Sequence, residues 1–103
     1  MQTNVLELLE NAKGLEKNYD WLQAAKIYEK VCDIDKKSIL NLAKYHEKMG
    51  YCLFRFAFQS EINKQFTQRM LQSANSYSKA GEFFQKISTD NSLAKALRCQ
   101  AKR

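Results

Sequence analysis

His46 is the one histidine in 103 residues, so any imidazole base or ligand this chain supplies must be that side chain. The thiol of Cys52 lies six residues further on. Six residues turn a helix by about 240°, so the two cannot meet as base and nucleophile within one helix. Asp33 and Asp35 make a close carboxylate pair. They fall at a predicted helix end, where turn and cap duty accounts for them. Cys32, Cys52 and Cys99 are odd in number and far apart. A small secreted disulfide domain would carry an even set, and a zinc site would carry close Cys or His pairs. The three therefore read as reduced thiols used as small apolar side chains. No Gly-rich phosphate loop, Gly-x-Ser-x-Gly elbow or His-Glu-x-x-His occurs. The expectation is a protein that is not an enzyme, with no catalytic residue, no metal and no cofactor.

The elements that carry these residues are helices throughout. The chain has no proline and three glycines, Gly14, Gly50 and Gly81. Apolar residues recur at the helical period, and strand-type alternation is missing. The first stripe is Val5, Leu8, Leu9, Ala12 and Leu15, with Asn18 as its left-handed stop. Asp20 and Gln23 have capping-box spacing, and Trp21, Ala24, Ile27, Tyr28, Val31 and Ile34 follow as the second stripe. Asp35 or Ser38 can cap a third helix, whose stripe runs from Ile39 through His46, Gly50 and Leu53 to Ala57. Tyr51, Phe54 and Phe58 add a second apolar face there, which predicts a helix covered on more than one side. Residues 59–63 read as a turn, with Ser60 or Asn63 as cap, or, having no Gly or Pro, as part of one unbroken helix. The fourth stripe is Phe66, Met70, Ala74, Tyr77, Gly81, Phe84 and Ile87. Residues 88–92 (Ser-Thr-Asp-Asn-Ser) read as a cap cluster before a last short helix with Leu93, Ala94 and Leu97. Gly50 and Gly81 each cost a helix interior about 1 kcal/mol, which predicts a close helix crossing at both.

Composition bounds the function. An apolar share of 45 % and twelve aromatics are enough material for one core, and they exclude a disordered chain. No apolar run approaches the roughly 20 residues that span a bilayer. The amino terminus lacks a basic lead with an apolar stretch after it, so a cytoplasmic protein is expected. Residues 1–50 hold eight lysines against eight acids, so the whole net charge of +6 belongs to residues 51–103. Such asymmetry suits an anionic partner, or the ordinary solvation of basic helix ends.

Residues 5–38 resemble a tetratricopeptide repeat, a 34-residue helical hairpin. Leu8, Ala12 and Leu15 stand for the first-helix signature, and Ala24, Tyr28 and Val31 for the second. The run from Trp21 to Lys30 carries most of the likeness. Residues 39–88 resemble the same hairpin in elongated form, with Met49, Gly50 and Leu53 matched to Ala80, Phe84 and Ile87. From Ala12 to Ala24 is twelve residues and from Gly50 to Ala80 is thirty. The excess of eighteen is about five whole turns, which lengthens both helices and keeps the same faces together. Lys36 and Leu15 stand where the family often has proline and tyrosine. The expected architecture is all-α: one domain over 1–103, an antiparallel helical-hairpin array of about five helices. Hairpins over 5–38 and 39–88 precede a terminal helix over 90–103.

The resemblance implies a concave groove lined by the first helix of each hairpin. Carried over by position, the first repeat contributes Leu6, Leu9, Lys13, Glu16 and Lys17. The ring face of Tyr51, Phe54 and Phe58, at i, i+3 and i+7, is the other candidate binding surface. The leading expectation is a SNAP-like adaptor module that binds a protein or peptide, alone or as a piece of a longer polypeptide. Self-association through Phe54 and Phe58 is a further possibility. The alternative is a nucleic-acid-binding protein using the basic second half, although Lys64, Arg69, Lys79 and Lys86 do not share one stripe.

Overall fold

The computed structural model describes the backbone of residues 4–101 and the side chains of residues 4–88. Four helices make up the described residues: α1 (Val5–Lys17), α2 (Trp21–Ile34), α3 (Ile39–Ala57) and α4 (Asn63–Ala101). No strand is present among them. The expected count of about five is corrected to four, because α4 runs unbroken through residues 88–92. Ser, Thr, Asp and Asn cost a helix interior only a few tenths of a kcal/mol each, less than ending one helix and nucleating another. The helix α3 has 19 residues and α4 has 39.

Helix ends follow local chemistry. Asn4 caps α1 by accepting the Leu6 N–H at 2.9 Å. Ser38 caps α3 by accepting the Asn41 N–H at 3.2 Å, and Asp35 instead accepts the Tyr45 hydroxyl at 2.9 Å. Asp20 precedes α2 but its side chain makes no capping bond, so the expected capping box does not form. Asn18 does not take the left-handed conformation either. Tyr19 does, with φ 61°, and the end of α1 is a Schellman motif. The Asp20 N–H donates to Leu15 O at 2.9 Å, and the Tyr19 N–H to Glu16 O at 3.0 Å. These two bonds aim the chain into α2. At the α3–α4 turn Ser60 serves a side chain of α4 rather than a backbone N–H. Ser60 Oγ accepts Arg69 Nη1 at 3.1 Å, and Gln65 Oε1 accepts the Glu61 N–H at 3.2 Å.

Each helix packs on its neighbours in sequence: α1 on α2, α2 on α3, and α3 on α4. The result is flat, 62 × 38 × 20 Å, with α4 along the long dimension. Ala12, Trp21, Ala24, Tyr28, Met49 and Cys52 lie in one core cluster where α1, α2 and α3 meet. On α2 and α3 the predicted stripes are the buried ones. On α4 they are not. Its buried residues are Ser73, Ser76 and Ala80, while Phe66, Tyr77 and Phe84 of the predicted stripe stay exposed.

Close approach of two backbones explains the difference. Ser73 Oγ donates to Gly50 O at 2.7 Å, and a methyl at Gly50 would lie 2.9 Å from Tyr77 Cδ2. Gly50 leaves the space that one edge of the Tyr77 ring fills, and the short Ser73 side chain reaches the Gly50 backbone beside it. Gly50 thus marks a tight crossing as expected. Gly81 does not, because nothing lies within 4 Å of the place its Cβ would occupy. No helix among the described residues is long and apolar enough to cross a membrane.

Candidate functional site

The rotation of α4 leaves its apolar stripe beside the second apolar face of α3, and the two line one seam. On α3, Glu47, Tyr51, Phe54 and Phe58 fall within an arc of about 60° at 100° per residue. On α4, Phe66, Met70, Ala74, Tyr77, Gly81 and Phe84 share an arc of about 80°. The middle of α3 and the middle of α4 flank a groove of about 720 Å³ between Glu47, Tyr51, Tyr77, Ala80, Gly81 and Phe84. Towards the turn, rings line the surface edge to face. Phe54 and Phe58 have centroids 5.0 Å apart at 84°, and Phe58 and Phe66 5.9 Å apart at 63°. Phe58 is 63 % exposed. From Phe66 to Phe84 the seam is about 27 Å long at 1.5 Å per residue.

The three aromatic candidates differ in surroundings. Tyr51 leans on the first hairpin, with its ring 5.7 Å from that of Trp21 at 89°. The Arg55 guanidinium lies 5.2 Å from the same indole ring. Phe54 is half-buried, whereas Tyr51 and Phe58 both meet solvent, Phe58 the more. Arg69 straddles the turn 3.7 Å from the Phe56 ring centroid and donates to Phe56 O at 3.4 Å. Its charge is thereby tied to the fold.

The α1 candidates form a separate group. Leu6, Lys13 and Lys17 are exposed and Leu9 is half-buried against the core. Glu16 turns inward. Its carboxylate accepts Tyr28 Oη at 3.1 Å and Cys52 Sγ at 3.5 Å, tying α1 to α2 and α3. That position therefore faces the helix junction rather than an open groove. Burial, and then the Glu16 carboxylate, push the Tyr28 phenol well above its usual range. The same two causes raise the Cys52 thiol to about 12, and burial raises Cys32 to about 11. Both thiols are thus protonated and unreactive at neutral pH.

A second groove, about 680 Å³, opens between α2 and α4 over α3. Leu42, Met49 and Phe83 contribute apolar lining, and Lys26, Glu29 and Lys79 are among its charged residues. His46 stacks on Phe83 at 5.6 Å with the rings 15° from parallel. Its Nδ1 is buried and has no hydrogen-bond partner. Burial and the nearby Lys79 lower its pKa from 6.5, so it is neutral at pH 7. Among the described residues no three of His, Cys, Asp and Glu gather as metal ligands would.

Of the sequence candidates, Tyr51 lies beside Tyr77, Gly81 and Phe84 and Phe58 beside Phe66, and these α4 residues were not among the sequence candidates. The signal was present as the α4 stripe and was assigned to the core. No protein-family profile, curated protein or solved structure matches this chain, so the reading of the groove rests on its own residues.

Proposed function

We propose that this chain is a non-enzymatic protein-interaction module built from tetratricopeptide-like helical hairpins. The observation that carries the reading is the open seam between α3 and α4. Exposed rings that line one groove are an apolar patch of the kind used for binding. The architecture supports the same reading. Helices that pack mainly on their sequence neighbours leave surface on the array open to a partner. Reduced, buried thiols at Cys32 and Cys52 suit a reducing compartment such as the cytoplasm. Nucleic acid is the weaker alternative. Arg69 is engaged on Phe56 and Ser60, and Lys79 opens onto the other groove.

A photo-crosslinking amino acid at Phe58, introduced in the native host, tests the reading. The expected result is a discrete protein adduct, lost in the variant that also carries Phe54→Glu and Tyr77→Glu. The same probe at Lys30, which is exposed on α2, should not yield that adduct. Adducts to nucleic acid alone, or the same protein set from both positions, would overturn it.

A further inference from the structure

We propose that the α3–α4 groove binds a quaternary ammonium group, the head of a trimethylated lysine in a peptide of another protein. The proposal rests on the interaction-module reading and adds the chemistry that the groove recognises.

The residues that line the groove define that chemistry. Tyr51 of α3 and Tyr77 and Phe84 of α4 bring three rings to it, and Glu47 brings a carboxylate. The rings are 42 %, 40 % and 36 % exposed, so the fold closes off none of them. The face of an aromatic ring carries partial negative charge. Several rings around one space, with a carboxylate beside them, attract a cation whose surface is made of methyl groups. An unmethylated ammonium suits such a place less, because it is strongly hydrated and needs acceptors for three N–H groups. A neutral apolar side chain gains the burial but not the attraction of the rings and Glu47.

Two of the three rings are held in place by the fold itself. Tyr77 lies against Gly50, where its ring fills the space of the missing Cβ. Tyr51 rests edge to face on Trp21, with centroids 5.7 Å apart at 89°. Rings fixed beforehand leave less ordering to be done on binding. Gly81 stands on α4 between Tyr77 and Phe84, and nothing lies within 4 Å of the place its Cβ would occupy. That opening gives a head group access to the rings.

The charges near the groove are placed to suit a cation. Tyr77 feels Glu47: burial, and then that carboxylate, raise its phenol pKa. Lys48 also borders the groove, but its charge bears on Cys52, one turn further along and hydrogen-bonded to Glu16. Arg55 lies 5.2 Å from the centre of the Trp21 ring and Arg69 3.7 Å from that of Phe56, so both arginines of the seam already sit on other rings. A peptide is favoured over a free head group because the seam continues past the groove to Phe58 and Phe66. Chain on either side of the modified lysine has that surface to follow.

The test uses the whole chain, isotope-labelled for amide NMR, and a short Gly-Ser peptide around one trimethyllysine. Matching peptides carry lysine, or the neutral isostere in which carbon replaces the ammonium nitrogen. The trimethyllysine peptide should shift the Gly81 amide and bind at least tenfold more tightly than either of the others. Phe84→Leu keeps an apolar side chain and removes a ring, and Glu47→Gln removes the charge. Each should cost the trimethyllysine peptide at least fivefold and leave the isostere unchanged. Circular dichroism checks that both variants fold, and if one does not, the three peptides on the parent chain still decide. Equal affinity for trimethyllysine and its isostere, or no shift at Gly81, overturns the proposal. Tighter binding of choline or of phosphatidylcholine vesicles than of the peptide makes the source a lipid head and overturns it too. In each of these cases a protein adduct at Phe58 leaves the broader module reading standing, and its absence removes that reading as well.

Discussion

Gly50→Ala isolates the crossing that decides which face of α4 is buried. The added methyl would stand 2.9 Å from Cδ2, 3.0 Å from Cγ and 3.1 Å from Cε2 of Tyr77. Carbon atoms in good contact are about 3.5–4.0 Å apart, so the ring must give by roughly half an ångström or more. Overpacking of this kind costs about 1–3 kcal/mol. Alanine also favours the helix over glycine by about 1 kcal/mol. The net expectation is a loss of about 0–2 kcal/mol, because Ser73 Oγ on Gly50 O at 2.7 Å resists separation of the helices. In a Tyr77→Ala background the ring is gone and only the helix term remains. There Gly50→Ala should stabilise by about 1 kcal/mol. Urea denaturation of the four proteins closes a double-mutant cycle, with an expected coupling of about 1–3 kcal/mol. In thermal melts each kcal/mol corresponds to about 4–8 °C for a domain of this size. A Gly50→Ala change that stabilises both backgrounds by the same amount would refute the close crossing.

Other consequences follow from the same contacts. Ala24 is fully buried, so Ala24→Leu should cost about 1–3 kcal/mol, and the exposed Gln72→Leu under about 0.5 kcal/mol, in urea melts. Equal midpoints would remove the packing role of Ala24. The folded-state pKa of His46 lies below the unfolded 6.5, so between the two values the unfolded chain binds more protons. Stability is therefore complete above about pH 6.5 and declines as the pH falls below it. His46→Gln should flatten that decline below about pH 6.5, and an unchanged slope would place its cause elsewhere. Cys32 and Cys52, raised to about 11 and about 12, should resist iodoacetamide at pH 8 in the native protein and react on adding urea. Rapid native labelling of either, read by peptide mass spectrometry, would contradict the burial described for it.

Local chemistry was enough to read the helical class, the first three helices and the turn before α4. Periodicity, the Ser38 cap and the absence of proline act through backbone propensity and side-chain spacing, which belong to short stretches of chain. The small–aromatic spacing of Ala24 and Tyr28 likewise placed both in the core, where they are. Tyr51, Phe54 and Phe58 were legible as one ring face because all three share one side of a helix. Other features required the assembled molecule. Whether the Ser-Thr-Asp-Asn-Ser run ended a helix depended on small propensity differences set against the cost of a new nucleus. Whether Glu16 faced a groove or the core depended on α3 arriving beside α1, which sequence spacing does not encode. The face of α4 is the clearest case. A pattern of residues reports which side of a helix is apolar, but not which side can approach its neighbour. The Gly50–Ser73 contact lets the backbones approach only along Ser73, Ser76 and Ala80, about 90° from the centre of the apolar stripe. That single steric choice left Phe66, Tyr77 and Phe84 outside the core and built the groove.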